Sequence, residues 1–523
     1  MTVSPSISSW VAAAATLGST IILLGHAGFA LYESGLSRAK NASHAMAINA
    51  TAWALAGLGF FVCGFALLSG GAAKLSAGKL WFLGGVGDEQ LPTLLMFLLM
   101  FTRITIAASL TTGAAAERWR FKHFAVVAIL LGAVVLPIYG SWIWADGWLA
   151  RLGTAYGWTH GAIDYAGSSV VHLQGGAIAW VFAYILGPRI GKYDARQRPR
   201  PILGHHIPMA VVGCLLIGIS LLAMNLTASI LADDGKVVDV AVASALAAAM
   251  GIAGALISML WRFGKPDPTM LCNGMIAGLV AIAAPCAYVS MSSAAVIGFI
   301  AGLLSIGVIP IFETFGLDDP AGSVSVHGMA GAWGMIAMGL FADGHFHSVA
   351  GLFYGNGRQL IAELTAVVAC IFWGVAGGAI VFKLASVVAG SPRVAREVEL
   401  SGLDIAEVGV PAYRELLNSV SGATPFVSEP RPAVAPSATG KKRFSVIVEG
   451  VDSATLISLW SGFCQSGSTP PSDEFKAVYP YLTTVTGNRF RFSGGDPSSV
   501  RDNLRQLFES VLPERRISTR VDA

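Results

Sequence analysis

Charge is what this chain has least of. Asp, Glu, Lys and Arg make up 12% of its 523 residues, against about a quarter in soluble globular domains. Mean hydropathy is +0.64. These values exclude an ordinary water-soluble enzyme and point to a membrane protein. The net charge of +3 is small and gives no nucleic-acid signal. Cys63, Cys214, Cys272, Cys286, Cys370 and Cys464 are scattered without CxxC spacing and decide nothing about compartment. Five of them lie in apolar runs and read as small buried hydrophobes. No phosphate loop, kinase or nuclease pattern occurs, and no cofactor or metal is expected. "GHH" at Gly204 to His206 reads as a surface pair, because adjacent side chains diverge. The N-terminus lacks a basic stretch, and its apolar run is too long for a signal peptide. It reads as a first membrane span.

What the chain has in abundance is long apolar runs. Stretches of about 20 apolar residues fall at 9–33, 42–70, 92–116, 123–143, 168–187, 207–231, 239–261, 270–290, 293–312, 324–342 and 360–389. The expectation is an all-α polytopic membrane protein with 11 spans. Lys and Arg are unevenly shared between alternate loops. Arg38, Lys40, Arg118, Arg120, Lys122, the "GPRIGKYDARQRPRP" loop, Arg262 and Lys265 oppose Lys74, Lys79, Arg151, Lys236 and Arg358, twelve against five. The positive-inside rule then places the N-terminus outside and the C-terminus in the cytoplasm of a plasma (inner) membrane.

One pattern occurs twice. "DYAGSSVVHLQGGA" at 164–177 and "DPAGSVSVHGMAGA" at 319–332 both fit D-x-A-G-S-x-x-V-H-x-x-x-G-A. They lead into the fifth and tenth spans, so spans 1–5 and 6–10 form an inverted repeat, with the eleventh outside it. An inverted repeat brings equivalent positions together near its pseudo-two-fold axis. His172 and His327 are therefore expected to meet at the centre, where facing imidazoles can pass a proton. A single buried histidine is commonly a satisfied core residue, but two at equivalent positions point to a path. Asp164 and Asp319 stand eight residues before the histidines. Asp319 reads as a structural cap near the pore. Asp164 reads either as a cap or as a carboxylate that steadies a cation at the pore mouth.

These motifs, together with "GFALYESGLSRAKN", "GAAAERWRF", "LGPRIGKYD", "MLCNGMIAGLVAIAAPCAYV" and "ELSGLDIAEVGVPAY", resemble the ammonium transporter (Amt/Rh/MEP) family over roughly residues 10–415. The resemblance implies a membrane homotrimer in lipid, with one pore per subunit, which is not an enzyme. Ammonium is recruited outside and deprotonated, and ammonia passes twin histidines that correspond to His172 and His327. Asp164 then supports the recruitment site and Trp144 supplies the aromatic face for a cation. The same alignment shows departures. Arg103 stands where the family has a gating phenylalanine, Met224 replaces the second, and Ala228 replaces a serine. Val408 stands where a histidine is common before Gly409. Arg103 either faces the pore, where its fixed charge opposes a cation, or turns away to pair with a carboxylate such as Asp164 or Glu33. Glu33, Arg38 and Lys40 read as the solvated end of the first span. Three functions follow: an ammonium transporter, an ammonium sensor with impaired transport, or a pore for another solute such as carbon dioxide or bicarbonate.

The expected domain order is 1–390 transmembrane, 391–418 cytoplasmic tail, 419–442 flexible linker and 443–523 a small α+β domain. Its pattern of strand, helix, hairpin, helix and strand suggests a ferredoxin-like fold. The family is often gated by PII-type signalling trimers with a similar core. The regulatory partner expected is therefore a PII-type protein or the chain's own C-terminal domain, by analogy of fold alone.

Overall fold

The computed structural model describes residues 7–70, 78–84, 91–158, 160–413, 443–449, 451–452, 455–456, 482–486, 488–493, 496–512 and 517–522. They divide into two compact units, Met1–Ala412 and Tyr413–Ala523. The linker at 419–442 and most of the helix expected at 453–467 lie outside the described residues.

The first unit is helical. Ten helices among the described residues are long and apolar enough to cross a membrane. They are α1 Ser9–Leu36, α2 Ala39–Ser69, α3 Leu91–Ala114, α4 Phe121–Trp144, α5 Ser168–Leu186, α6 Ile207–Ala232, α7 Val237–Phe263, α9 Met291–Thr314, α10 Ser323–Phe341 and α11 Gly357–Ala389. Between α7 and α9 lies a shorter apolar helix, α8, Pro268–Ile282. The run at 270–290 is thus not one continuous helix; its second part is buried turn backbone. Partners from α5 account for this. Ser168 Oγ donates to Val280 O and accepts from Ala284 N. The amides of Tyr165 and Ala166 donate to Ala284 O and Ala283 O. Pro285 follows and offers no amide to continue a helix. Irregular backbone survives at membrane depth where protein supplies its hydrogen bonds.

Glycines decide how closely the halves approach. A Cβ on Gly213 would lie 2.4 Å from Tyr32 N, so α6 packs backbone to backbone on α1. A Cβ on Gly176 would lie 2.4 Å from Gly328 Cα, so α5 and α10 cross with no side chain between them.

The tail belongs to the first unit up to Ala412. Its Arg396–Ser401 helix ends at Gly402, whose Cβ would collide with the Lys40 backbone. Lys40 Nζ donates to the carbonyls of Glu399 and Leu400, a cation at a helix C-terminus.

The second unit has a four-stranded antiparallel sheet, β1 Arg443–Glu449, β2 Leu482–Thr486, β3 Arg489–Ser493 and β4 Ser518–Asp522, in the order β2-β3-β1-β4. Its helix α12, Pro497–Val511, is capped by Asp496 accepting from Ser499 N. Val500, Leu504, Leu507 and Phe508 pack from it against Val446, Val448, Phe490 and Phe492.

Candidate functional site

Each copy of the repeated motif makes the same local structure. An aspartate is followed by a glycine at positive φ, Gly167 at 130° and Gly322 at 74°. A π-helical turn then opens the span, Ser168–Leu173 in α5 and Ser323–Gly328 in α10. Such a turn leaves first amides without helical partners, and the aspartate takes them. Asp164 Oδ1 accepts from Gly167 N and Ser168 N at 2.8 Å each, and Oδ2 accepts from Ser169 N at 2.7 Å and Val170 N at 2.9 Å. Asp319 does the same for Ser323, Val324 and Ser325 at 2.9 to 3.1 Å. Both carboxylates are caps.

The wider π turn carries the histidines, and the glycine crossing of α5 with α10 brings them together. His172 Nδ1 and His327 Nδ1 lie 3.2 Å apart, with the rings 19° from parallel and 5.1 Å between centroids. A contact between like nitrogens requires one to carry a proton and the other not. One imidazole then presents an acceptor Nε2 and the other a donor Nε2. His172 Nε2 is buried without a protein partner. A void of about 10 Å³ lined by Phe29, Tyr32, Glu33 and Asn273 adjoins His327.

Two larger cavities flank the pair. On the face away from the basic loops, a cavity of about 890 Å³ is lined by Leu99, Trp144, Asp164, Tyr165, Asp233, Asp234 and Tyr288 among others. Trp144 Nε1 donates to Asp164 O at 2.7 Å, which fixes the indole at the cavity wall. On the basic face, a cavity of about 250 Å³ includes Arg189, Lys192, Asn273, Asp318 and Asp319.

Arg103 lies one helical turn deeper along α3 than the cavity residue Leu99, and it is wholly buried. Further along α3, Ala107 and Leu110 meet Gly175 of the histidine-bearing helix α5. Arg103 is thus on α3 between the cavity and the level of the histidine-bearing helix. Its guanidinium donates to Leu99 O at 3.3 Å, Met224 O at 2.7 Å and Thr227 Oγ1 at 3.3 Å, and its Nε finds no partner. The pairing with Asp164 or Glu33 does not form, because both carboxylates are committed elsewhere. Asp164 holds the α5 turn, and Glu33 accepts from Asn49 and Thr112 at 2.7 Å each. Met224 and Ala228 are buried on α6.

Glu33 corrects a sequence reading. It is 3% exposed rather than solvated, because it faces Asn49 of α2 and Thr112 of α3, which donate to its carboxylate. The structure also brings in residues whose roles spacing alone did not disclose. Arg189 bridges Glu117 at 2.9 Å and Asp318 at 2.8 Å, and Glu117 also takes Arg38 and Asn41. Burial alone would raise the Asp318 carboxyl, but Arg189 and Arg118 hold it well below the usual carboxylate range. Burial likewise opposes ionisation of Glu117, and Arg189 and Arg38 again keep its pKa low. On α11, Gln359 and Glu363 reach the loop that carries Asp164. Glu363 is the sole acidic residue of the 360–389 run, and that isolation was the signal available.

Residues 12–413 match the model of the Ammonium Transporter Family. Ammonium transporter Amt2 of Archaeoglobus fulgidus is 40% identical over 408 residues, covering 75% of this chain and 86% of its own. The Amt2 of Methanocaldococcus jannaschii is 34% identical over 391 residues, covering 74% and 87%. A solved structure described as a sensor Amt protein superposes with a TM-score of 0.69 at 28% identity, covering 76% of this chain and 98% of that one. Candida albicans Mep2 superposes at 0.68 with 23% identity over 80% and 93%, a likeness of fold.

Proposed function

The chain belongs to the ammonium transporter family, and from that premise we propose that it takes ammonium at the Trp144 cavity and carries ammonia past His172 and His327. The observation that carries this reading is the 3.2 Å contact between the two Nδ1 atoms. A pair that shares one proton offers ammonia a donor and an acceptor in an otherwise apolar passage. In this reading the Trp144 face attracts the cation, Asp164 holds the loop beneath it, and Asp319 is the matching cap at the inner end. The basic loops lie in the cytoplasm and the Trp144 cavity opens outside, with three subunits forming a homotrimer. The test is charge movement. Purified protein in liposomes receives an ammonium pulse, and a transient current that scales with protein density and disappears in His172→Ala supports transport. An unchanged current in that variant would end the relay reading.

Arg103 favours a second reading, an ammonium sensor. A cation entering the Trp144 cavity would meet a fixed guanidinium one turn deeper, so binding without passage is the outcome. The likeness to a protein described as a sensor Amt points the same way. Under either reading the second unit is a ferredoxin-like regulator carried on the same chain, in place of or beside a PII-type partner. Deletion of 440–523 with no change in activity or its control would remove that role.

A further inference from the structure

The two repeat loops are locked by different chemistry. In the second half, Asp318 precedes the cap Asp319 and is clamped by Arg189 and Arg118, an ionic lock. The equivalent position in the first half is Ile163, preceding Asp164, and it has no side chain to clamp. Its backbone amide instead donates to Glu363 Oε1 of α11 at 3.0 Å. Gln359, one turn earlier on α11, donates both to Glu363 Oε1 at 2.7 Å and to Gly161 O at 2.8 Å. Helix α11 lies outside the repeat, so nothing in the inverted symmetry requires this contact. Glu363 is fully buried, and its Oε2 has no protein partner. An ionisable group in an apolar span is costly to keep and marks a function.

We propose that Glu363 is the positioning residue of the outer cation site. It holds residues 161–164 from behind, and those residues carry the Asp164 carbonyl that fixes the Trp144 indole. The proposal rests on the reading that ammonium is recognised at Trp144. The chain of contacts runs from Glu363 to Ile163 N, through the peptide to Asp164 O, and on to Trp144 Nε1. Its effect falls on how well the cation is held. The same loop leads into α5, where Asp164 caps the turn that bears His172, so ammonium binding rather than current is the readout that reports on the outer site.

The experiment uses the full-length purified protein as Glu363→Leu, Glu363→Gln and native. Hydrogen exchange is measured on the peptides covering 161–170, and ammonium binding is measured by titration calorimetry. Glu363→Gln keeps an acceptor oxygen for Ile163 N, whereas Glu363→Leu removes it. The expected result is faster exchange of this loop and at least tenfold weaker ammonium binding in Glu363→Leu. Glu363→Gln should restore exchange and return binding to within about threefold. Native-like exchange and binding in Glu363→Leu would overturn the proposal, and so would failure of Glu363→Gln to rescue. If the native chain itself binds no ammonium, recognition at Trp144 is what has failed. The exchange data then still decide the clamp, and unchanged exchange in Glu363→Leu refutes it. Gln359→Met, which acts on Gly161 O, guards against misfolding of the Glu363→Leu protein by loosening the same loop from another contact.

Discussion

On the sensor reading, replacing Arg103 by methionine should release an ammonium current without loss of stability. Two unit charges about 4 Å apart repel by ~1 kcal/mol in water and by ~4 kcal/mol at an effective dielectric near 20. Arg103 is wholly buried, so the second figure applies more closely. Each 1.36 kcal/mol is about tenfold in rate, so ~4 kcal/mol corresponds to roughly a thousandfold in the passage of a cation and ~1 kcal/mol to about fivefold. Stability should hold because Arg103 has no carboxylate partner among the described residues. Its acceptors also do not depend on it, since Thr227 Oγ1 donates to Met224 O at 3.1 Å with or without the guanidinium. Replacement of buried charge by an apolar side chain of similar size is often neutral or stabilising. The assay is the ammonium-driven transient current on solid-supported membranes, with native and Arg103→Met at equal protein density and with thermal midpoints measured in detergent. A current in Arg103→Met no larger than native, with the protein folded, would refute the view that this guanidinium is the barrier. A large native current would refute it as well.

His172→Ala should abolish whatever current Arg103→Met releases, measured in the double variant on the same membranes. Arg189→Met should destabilise the first unit by ~3–5 kcal/mol, because Glu117 and Asp318 would stay buried without their shared partner; thermal unfolding in detergent checks this. Asp318 and Glu117 have folded pKa values below their unfolded ones. Their stabilisation is therefore full above about pH 5 and is lost as pH falls below about 4, toward the folded values. Asp318→Asn should flatten that acid limb of the thermal midpoint. Gly402→Val should free the tail from Lys40, because a side chain there collides with the Lys40 backbone; faster proteolysis of the 391–412 segment is the readout.

Much of the membrane unit was legible in the sequence because lipid imposes one dominant rule, that long apolar stretches become helices. The repeat around His172 and His327 was legible for a second reason, since identical spacing in both halves forces equivalent positions toward one axis. The early end of the eighth helix was not legible because hydropathy does not register that Ser168 and the 165–166 amides take the carbonyls of Val280, Ala283 and Ala284. Glu33 was misjudged because its partners, Asn49 and Thr112, lie on two other helices. Arg103 was flagged at once, but its direction was not, since a guanidinium can satisfy itself on helix carbonyls as well as on carboxylates.

The same limit explains what a two-fold repeat can and cannot specify. Asp164 and Asp319 cap their turns with equivalent amides, and the histidines meet because the capped turns are alike. The clamps one residue earlier differ, Glu363 on Ile163 in one half and Arg189 on Asp318 in the other. A pore with identical ends would hold a cation equally on both faces. Here Asp146, Asp164, Asp233 and Asp234 line the Trp144 cavity, whereas at the other cavity Arg189 and Lys192 offset part of the charge of Asp267, Glu313, Asp318 and Asp319, so the more negative field lies on the Trp144 side. On the transport reading, the symmetric residues form the passage, and the residues that break the symmetry bias the side from which a cation enters.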